Sequence, residues 1–496
     1  MPEAMSHPFD SAVSLVDALR GRRMRSVDVT RAFLARITQD NHLVHCVTRL
    51  EAESALRQAV EADRLADAGG PLGPLHGLPM TLKDAYPVAG SRTTFGLPHL
   101  WFHRTKADSE AVARLRRAGA VFMGRTAVPF GCWDWQCKPP LRRECVNPLD
   151  PTRTPGGTSG GAAAALAAGF TPLELGSDIA GSIRYPAHCC GVYGLRTTLG
   201  LIPSDHDAPD GGPLLPSSYA SGPMARSLED LALMLSALAP EPDPRAPAPP
   251  PGKARVAVTR AVAGLPVDAQ TAAAIESVAQ SARAGGHEVI EADPPFDFDE
   301  AFTLYGLLLG YEMRPSVPFG LRNRLGLRAF AAWFLRWRMG NGPMETTVRA
   351  GLLATAAEYK AGLARHVELM ARVDRFFTEY PLWVLPVSPT AAIRRQPTGR
   401  PIQFEGVAVP YSRFIGGYLC PTVVIGTPAA VVPVVPPGGG LPVGVQIHSR
   451  RFADHWLVRV LGEWQSKPSP ASAAGRLVIV PERPTAPGTS MEDEGA

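Results

Sequence analysis

The chain has 496 residues, 45% hydrophobic and 19% charged, a composition that supports a large globular core and leaves no case for a disordered protein. Its net charge of +4 is spread without a basic block, so nucleic acid is not implied as a partner. No apolar run reaches the roughly 18 residues of a membrane span. The first residues lack the basic-then-apolar pattern of a signal peptide, and seven irregularly spaced cysteines do not make a disulfide framework. A reducing cytoplasm is the expected compartment.

Apolar positions at helical spacing from Ala12 to Ile37 predict two helices, the second capped by Ser26. Glu51 to Ala68 predicts a third. Leu75 to Val88 is strand-like around Lys83, Ala107 to Ala118 is helical, and Val121 to Met123 is a strand. A Trp/Cys-rich irregular segment, Phe130 to Cys145, leads into the stretch from Pro155 to Pro203. There a Gly-Ser/Thr cluster (Gly156 to Gly161) precedes an Ala-rich helix (Ala162 to Gly169) and a strand (Leu173 to Leu175). A second small-residue loop, Gly176 to Ser182, follows. Pro203 to Pro216 is loop, Ser227 to Leu238 a helix, and Pro240 to Pro251 a semi-rigid polyproline connection. Arg255 to Thr259, Ala269 to Ala284 and His287 to Ala292 form a βαβ-like unit. Leu304 to Trp337 is rich in aromatics, and Thr346 to Phe377 predicts one long helix. Strands are expected at Leu382 to Val387, Pro428 to Val434 and Leu441 to Ile447, with a helix from Asp454 to Trp464. The tail, 467–496, reads as loosely ordered. This alternation predicts the α/β class, a sheet covered on both faces.

Two small-residue loops bracketing one helix bring their hydroxyls to one place, because small residues allow close backbone approach. A serine nucleophile needs a base. Two candidates stand in the sequence: His188, the lone histidine of the central stretch, and Lys83, whose apolar neighbours would lower its pKa. Consecutive amides around Ser182 could converge on one oxyanion. Asp178 and Arg184 flank that loop and are placed to pair. Gly156 to Gly161 lacks the GK[ST] ending of a phosphate loop. It fits the G-x-S-x-G elbow, but residues 150–155 are not the buried strand that motif requires. The cysteines, including Cys132 with Cys137 and Cys189 with Cys190, have no paired CxxC spacing, so no metal is expected.

The segments GLPMTLKD (77–84), PGGTSGG (155–161), GSDIAGSIRYPA (176–187) and CGVYGL (190–195) resemble the amidase signature family. The likeness covers most of the chain, including the loop 440–446 and the closing RFAD segment (451–454). It implies an amidase-signature fold, a large twisted mixed β-sheet sandwiched between α-helices. It also implies a single unit over 1–466: N-terminal helices (1–70), catalytic core (71–238), Pro-rich connection (239–253), then a substrate-pocket and C-terminal part (254–466). By resemblance the nucleophile is Ser182, the base Lys83, and Thr158 takes the place of the family's bridging cis-serine. Ser159, Asp178 and Arg184 support them. The amides of Ile179, Ala180, Gly181 and Ser182 would form the oxyanion hole. Gly131, Cys132, Trp133 and Tyr305 would line the pocket, with Trp135 in the same region. Ala180 stands where the family usually has glycine, and Ala85 where asparagine is common. The implied activity is hydrolysis of a small-molecule carboxamide without metal or organic cofactor, by a monomer or homodimer. A transferase using the same acyl-enzyme, and a binding protein that has lost catalysis, are the alternative readings.

Overall fold

The structure is a computed structural model that describes residues 11–204, 215–262, 264–316, 324–330, 333, 335, 340, 342–437 and 439–466. The predicted tail (467–496), most of the loop after Pro203 and several aromatics of the 304–337 segment, Phe334 and Trp337 among them, lie outside the described residues.

The chain opens with α1 (Ala12–Arg20) and α2 (Ser26–Val44), then β1 (Val47–Leu50) and α3 (Ala52–Asp67). Ser26 does not cap α2. It is the first helical residue, after Arg25, whose side chain makes no capping bond. The α2 amides of Ser26 and Val27 instead donate to the Asp63 carboxylate on α3, at 2.7 and 3.1 Å. A carboxylate from another helix thus satisfies donors a local cap would have taken. Ser26 spends its hydroxyl on the Gly77 carbonyl, 2.7 Å away.

Next come β2 (Pro79–Lys83), α4 (Glu110–Arg117) and β3 (Val121–Thr126). β1 and β2 flank β3 in a three-stranded sheet, antiparallel and parallel to it respectively. All five residues of β2 are buried, so its end holds Lys83 inside the protein.

The central stretch forms α5 (Gly160–Ala167), β4 (Leu173–Asp178), α6 (Arg184–Cys190) and β5 (Tyr193–Arg196), followed by β6 (Ala220–Ala225) and α7 (Leu228–Leu238). Every residue of α5 is buried. A helix made of Gly and Ala, with one Leu, is thin enough to lie against β2, β3, β4 and β6 at once. Gly176 to Asp178 finish β4 rather than opening a loop, so the turn before α6 is only 179–183.

Beyond the proline-rich connection lie β7 (Arg255–Val258), α8 (Ala269–Ala284), β8 (Glu288–Glu291), α9 (Phe298–Glu312), α10 (Arg324–Phe330), α11 (Pro343–Leu353) and α12 (Ala356–Glu379). The predicted Thr346 to Phe377 helix is thus two helices. Thr355 breaks it by capping α12, accepting from Glu358 N at 3.2 Å while Glu358 accepts from Thr355 N at 2.6 Å. A capping box overrides the continuous apolar period. The chain closes with β9 (Leu382–Pro386), β10 (Ile402–Phe404), β11 (Val407–Val409), α13 (Tyr411–Gly416), β12 (Ala429–Val434), β13 (Val443–Ser449) and α14 (Asp454–Ser466).

Eight strands form the main sheet in the order β4-β6-β5-β12-β13-β9-β7-β8. Its first six are antiparallel neighbours, and β9, β7 and β8 run parallel, as a βαβ crossover demands. Strands from before and after the proline-rich connection share this sheet. The architecture is α/β, a large mixed sheet with helices packed over it. Among the described residues, no helix is long and apolar enough to cross a membrane.

Candidate active site

Lys83 is fully buried at the end of β2. Its Nζ lies 2.6 Å from Thr158 Oγ1, 2.8 Å from Ser177 Oγ and 3.3 Å from the Ser177 carbonyl oxygen. Burial pulls the amine down to about 8, against the opposing pull of nearby acidic groups that include Asp178 and Glu174. A neutral amine has two N–H bonds and one lone pair. The two Ser177 oxygens can take the hydrogens, which turns the lone pair toward the Thr158 hydroxyl.

Thr158 enters from the loop before α5, where the Gly157–Thr158 peptide bond is cis. A side chain at Gly157 would sit 2.4 Å from the Asp134 carbonyl oxygen, so only glycine permits this approach. Ser159 is buried beside it. The Ser159 amide donates to the Ser182 carbonyl at 3.2 Å, and its hydroxyl reaches the Ser177 carbonyl at 3.5 Å. The first loop is thereby tied to both the end of β4 and the turn that carries Ser182.

That turn is folded around Asp178, which is wholly buried. Its carboxylate accepts from Gly181 N at 2.8 Å and Ile183 N at 3.2 Å, and forms an ion pair with Arg184, Nε to Oδ2 3.0 Å. Arg196 stands 3.7 Å away on the other side. Burial alone would raise this carboxyl, but the two guanidinium groups and the amides outweigh it and hold it near 2. Gly181 has φ 92°, and a Cβ there would meet Leu419 Cδ1 at 2.4 Å, so the turn needs glycine at this position.

The Gly181 amide is therefore spent on Asp178, which removes it from the four amides expected to cradle an oxyanion. Those of Ile179, Ala180 and Ser182 donate to no acceptor among the described residues. The Ala180 carbonyl accepts from Trp135 Nε1 at 2.8 Å, which fixes the outer lip of the turn.

Thr158, Ile179, Ala180 and Ser182 line one cleft together with Cys132, Trp133, Trp135, Tyr305 and Met344. It encloses about 440 Å³, part of it open to solvent. Gly131 does not line it. That residue sits in the turn Phe130–Cys132 at φ 61°, with Leu97 as its neighbour. His188, the rival base, is buried on α6 with Nδ1 accepting from Gly444 N at 2.9 Å. Burial lowers its pKa to about 4. It is committed to β13. No group of three His, Cys, Asp or Glu side chains among the described residues is placed to hold a metal ion.

Sequence reasoning overlooked Ser177, Arg196 and Met344. Ser177 adjoins Asp178 at the end of a buried strand, where a hydroxyl must find a partner, so its signal was present. Met344 sits on α11, far along the chain from the two loops, and no local pattern ties it to them.

Two hydroxyls and unspent amides lining one apolar cleft, with a buried amine in contact with one of those hydroxyls, are the equipment of nucleophilic acyl transfer. The amidase family model matches residues 28–458. An indoleacetamide hydrolase of Bradyrhizobium diazoefficiens is 32% identical over 458 residues, covering 90% of this chain and 84% of that protein. A glutamyl-tRNA(Gln) amidotransferase subunit of Chloroflexus aurantiacus is 30% identical, covering 93% and 97%. Among solved structures, a bacterial aryl acylamidase of the amidase signature family shares the fold, with a TM-score of 0.77 at 21% identity over 94% and 97% of the two chains. The chain belongs to the amidase family and is an enzyme of the amidase class, acting on amide bonds.

Proposed function

We propose that the protein hydrolyses the C–N bond of small carboxamides through an acyl-enzyme on Ser182, with Thr158 relaying its proton to neutral Lys83. The observation that carries this reading is the 2.6 Å contact between Lys83 Nζ and Thr158 Oγ1. Thr158 also lines the cleft that Ser182 lines, which supports its reading as a relay between base and nucleophile. Ser182 Oγ attacks the carbonyl carbon as its proton passes to Thr158 and the Thr158 proton to the amine. The oxyanion forms against the amides of Ile179, Ala180 and Ser182. Lys83 returns the proton through Thr158 to the departing amine, and water releases the acid.

The cleft wall, with Trp133, Trp135, Ile179 and Met344, suits an apolar or aryl acyl group, and an indoleacetamide hydrolase among the relatives points the same way. The reading includes a single catalytic unit over 1–466, acting as monomer or homodimer in the cytoplasm, in keeping with seven unpaired cysteines. Treatment with a fluorophosphonate, read by mass spectrometry, tests it. An adduct on Ser182 that Ser182→Ala abolishes is expected, and a folded wild type that never labels leaves a binding protein.

A second reading is favoured by the amidotransferase relative: an amine or ammonia, rather than water, resolves the acyl-enzyme. Amide product that rises with added amine at constant turnover would select it.

A further inference from the structure

A second hollow opens beside the residue that follows Lys83. Asp84 and Thr94 form part of its lining and are bound to each other: Thr94 N donates to Asp84 Oδ1 at 3.0 Å, and the Thr94 hydroxyl donates to Oδ2. Burial raises the Asp84 carboxyl above its ordinary value, against the opposing pull of buried Arg125 and of Arg49. Arg49, Arg92 and Arg142 stand around the hollow with the rings of Trp101 and Phe102.

The arginines are unevenly satisfied. Arg49 pairs with Glu51 at 3.3 Å and also donates to the Arg92 carbonyl. Arg92 and Arg142 have no carboxylate within ion-pair distance among the described residues. Each lies over a ring instead, Arg92 at 5.7 Å from the Phe102 centroid and Arg142 at 5.8 Å from that of Trp101. Phe102 is 84% exposed, and Leu141, the chain neighbour of Arg142, is 83% exposed. An adjoining hollow shares Arg49 and Arg92 and adds Arg57, Arg104 and Arg116. Two planar cations without an ion-pair partner among the described residues, the half-buried Trp101 ring and the exposed Phe102 ring therefore border one space, with the Asp84 carboxylate also in its lining. Guanidinium forks match carboxylate or phosphate oxygens, and exposed rings at a cleft mouth match a flat apolar group.

We propose that this hollow binds an anion that carries a flat apolar group, its acid end between Arg92 and Arg142 and its ring against Trp101 and Phe102. Of the arginines in the adjoining hollow, Arg49, Arg57 and Arg116 are paired with Glu51, Glu53 and Asp108, which leaves Arg104 as a further attraction for such an anion. A neutral ring would leave the guanidinium groups unmatched, and a bare inorganic anion would leave the rings uncovered.

Isothermal titration of the full-length protein with 2-naphthoate tests the site, with 2-naphthol as the ring alone and inorganic phosphate as the charge alone. Naphthoate is expected to bind at least about tenfold tighter than either control. The double variant Arg92→Ala/Arg142→Ala is expected to weaken it by about tenfold or more, and Arg142→Ala alone, at an exposed position that barely touches folding, by about threefold. Circular dichroism on each variant verifies the fold. Unchanged naphthoate affinity in the folded variants, phosphate binding as tightly as naphthoate, or no naphthoate binding to the wild type would each overturn the proposal.

Discussion

Lys83 Nζ and Thr158 Oγ1 meet at 2.6 Å, although 75 residues separate them in the chain and the lysine is wholly buried. The contact is possible because β2 ends inside the protein and α5 is slim enough to bring its preceding loop up against that end. A lysine held in this way can serve as the base of the proposed reaction, whereas an exposed one would be a spectator cation at neutral pH.

In the proposed mechanism the amine, pulled down to about 8, acts in its neutral form, so kcat/KM is expected to rise with pH and level off above about pH 8. Lys83→Met should lose about 10²- to 10⁴-fold in rate, the usual range for a general base. Its stability should also report the burial. The folded protein releases this proton at about 8 and the unfolded chain near 10.5, so the wild type gains stability as pH rises through that window, by about 3 kcal/mol at most. Thermal unfolding at pH 7.5 and 10 checks the sign, and Lys83→Met should remove that difference.

Thr158→Ser keeps the hydroxyl and is expected to hold or raise turnover. Thr158→Ala removes it and should cost about 10²- to 10⁴-fold in kcat with little change in KM, because the loss falls on proton transfer. Steady-state kinetics on both variants decide the matter. Near wild-type turnover in Thr158→Ala would take the relay away from this residue.

Glu174 lies buried on β4, with Oε1 accepting from Thr81 Oγ1 at 2.5 Å, and burial raises its carboxyl to about 8. The unfolded chain ionises this group from 4.5, so wild-type stability is expected to fall as pH rises from about 4.5 to 8. Glu174→Gln removes the group that titrates and should gain on the wild type across that window, by up to about 5 kcal/mol. Denaturant midpoints at pH 5 and 8 measure it, and parallel slopes for the two proteins would contradict the assignment.

Asp178 works in the opposite direction. Held near 2 against an ordinary 3.8, it contributes stability at all pH values above 3.8, and that contribution is lost as pH falls from there to 2. Asp178→Asn leaves Arg184 and Arg196 buried without their shared carboxylate and should cost about 3–5 kcal/mol. Because the same carboxylate holds Gly181, activity should fall as well. Denaturant unfolding at neutral pH is the check, and a loss below 1 kcal/mol (about the worth of an exposed pair) would mean that the cluster holds little.

The chemistry of the candidate site was legible in the sequence to the extent that it depends on residue type and local spacing. Two Gly/Ser/Thr clusters around an alanine run, and a lysine in a short apolar strand, are local patterns, and burial acts on them locally. The α/β class followed from the alternation of such patterns, and helix α8 has the bounds its periodicity predicts. The tertiary structure alone decided which groups meet. Ser177 becomes the second partner of Lys83 across 94 residues, Asp63 caps a helix it does not belong to, and Arg196 joins the Asp178 cluster from another strand. It also decided that the Gly181 amide serves a carboxylate instead of an oxyanion. The physical reason is that apolar burial follows a short repeat along the chain, whereas a buried polar group takes whichever partner the closed fold brings within about 3 Å, and no repeat encodes that.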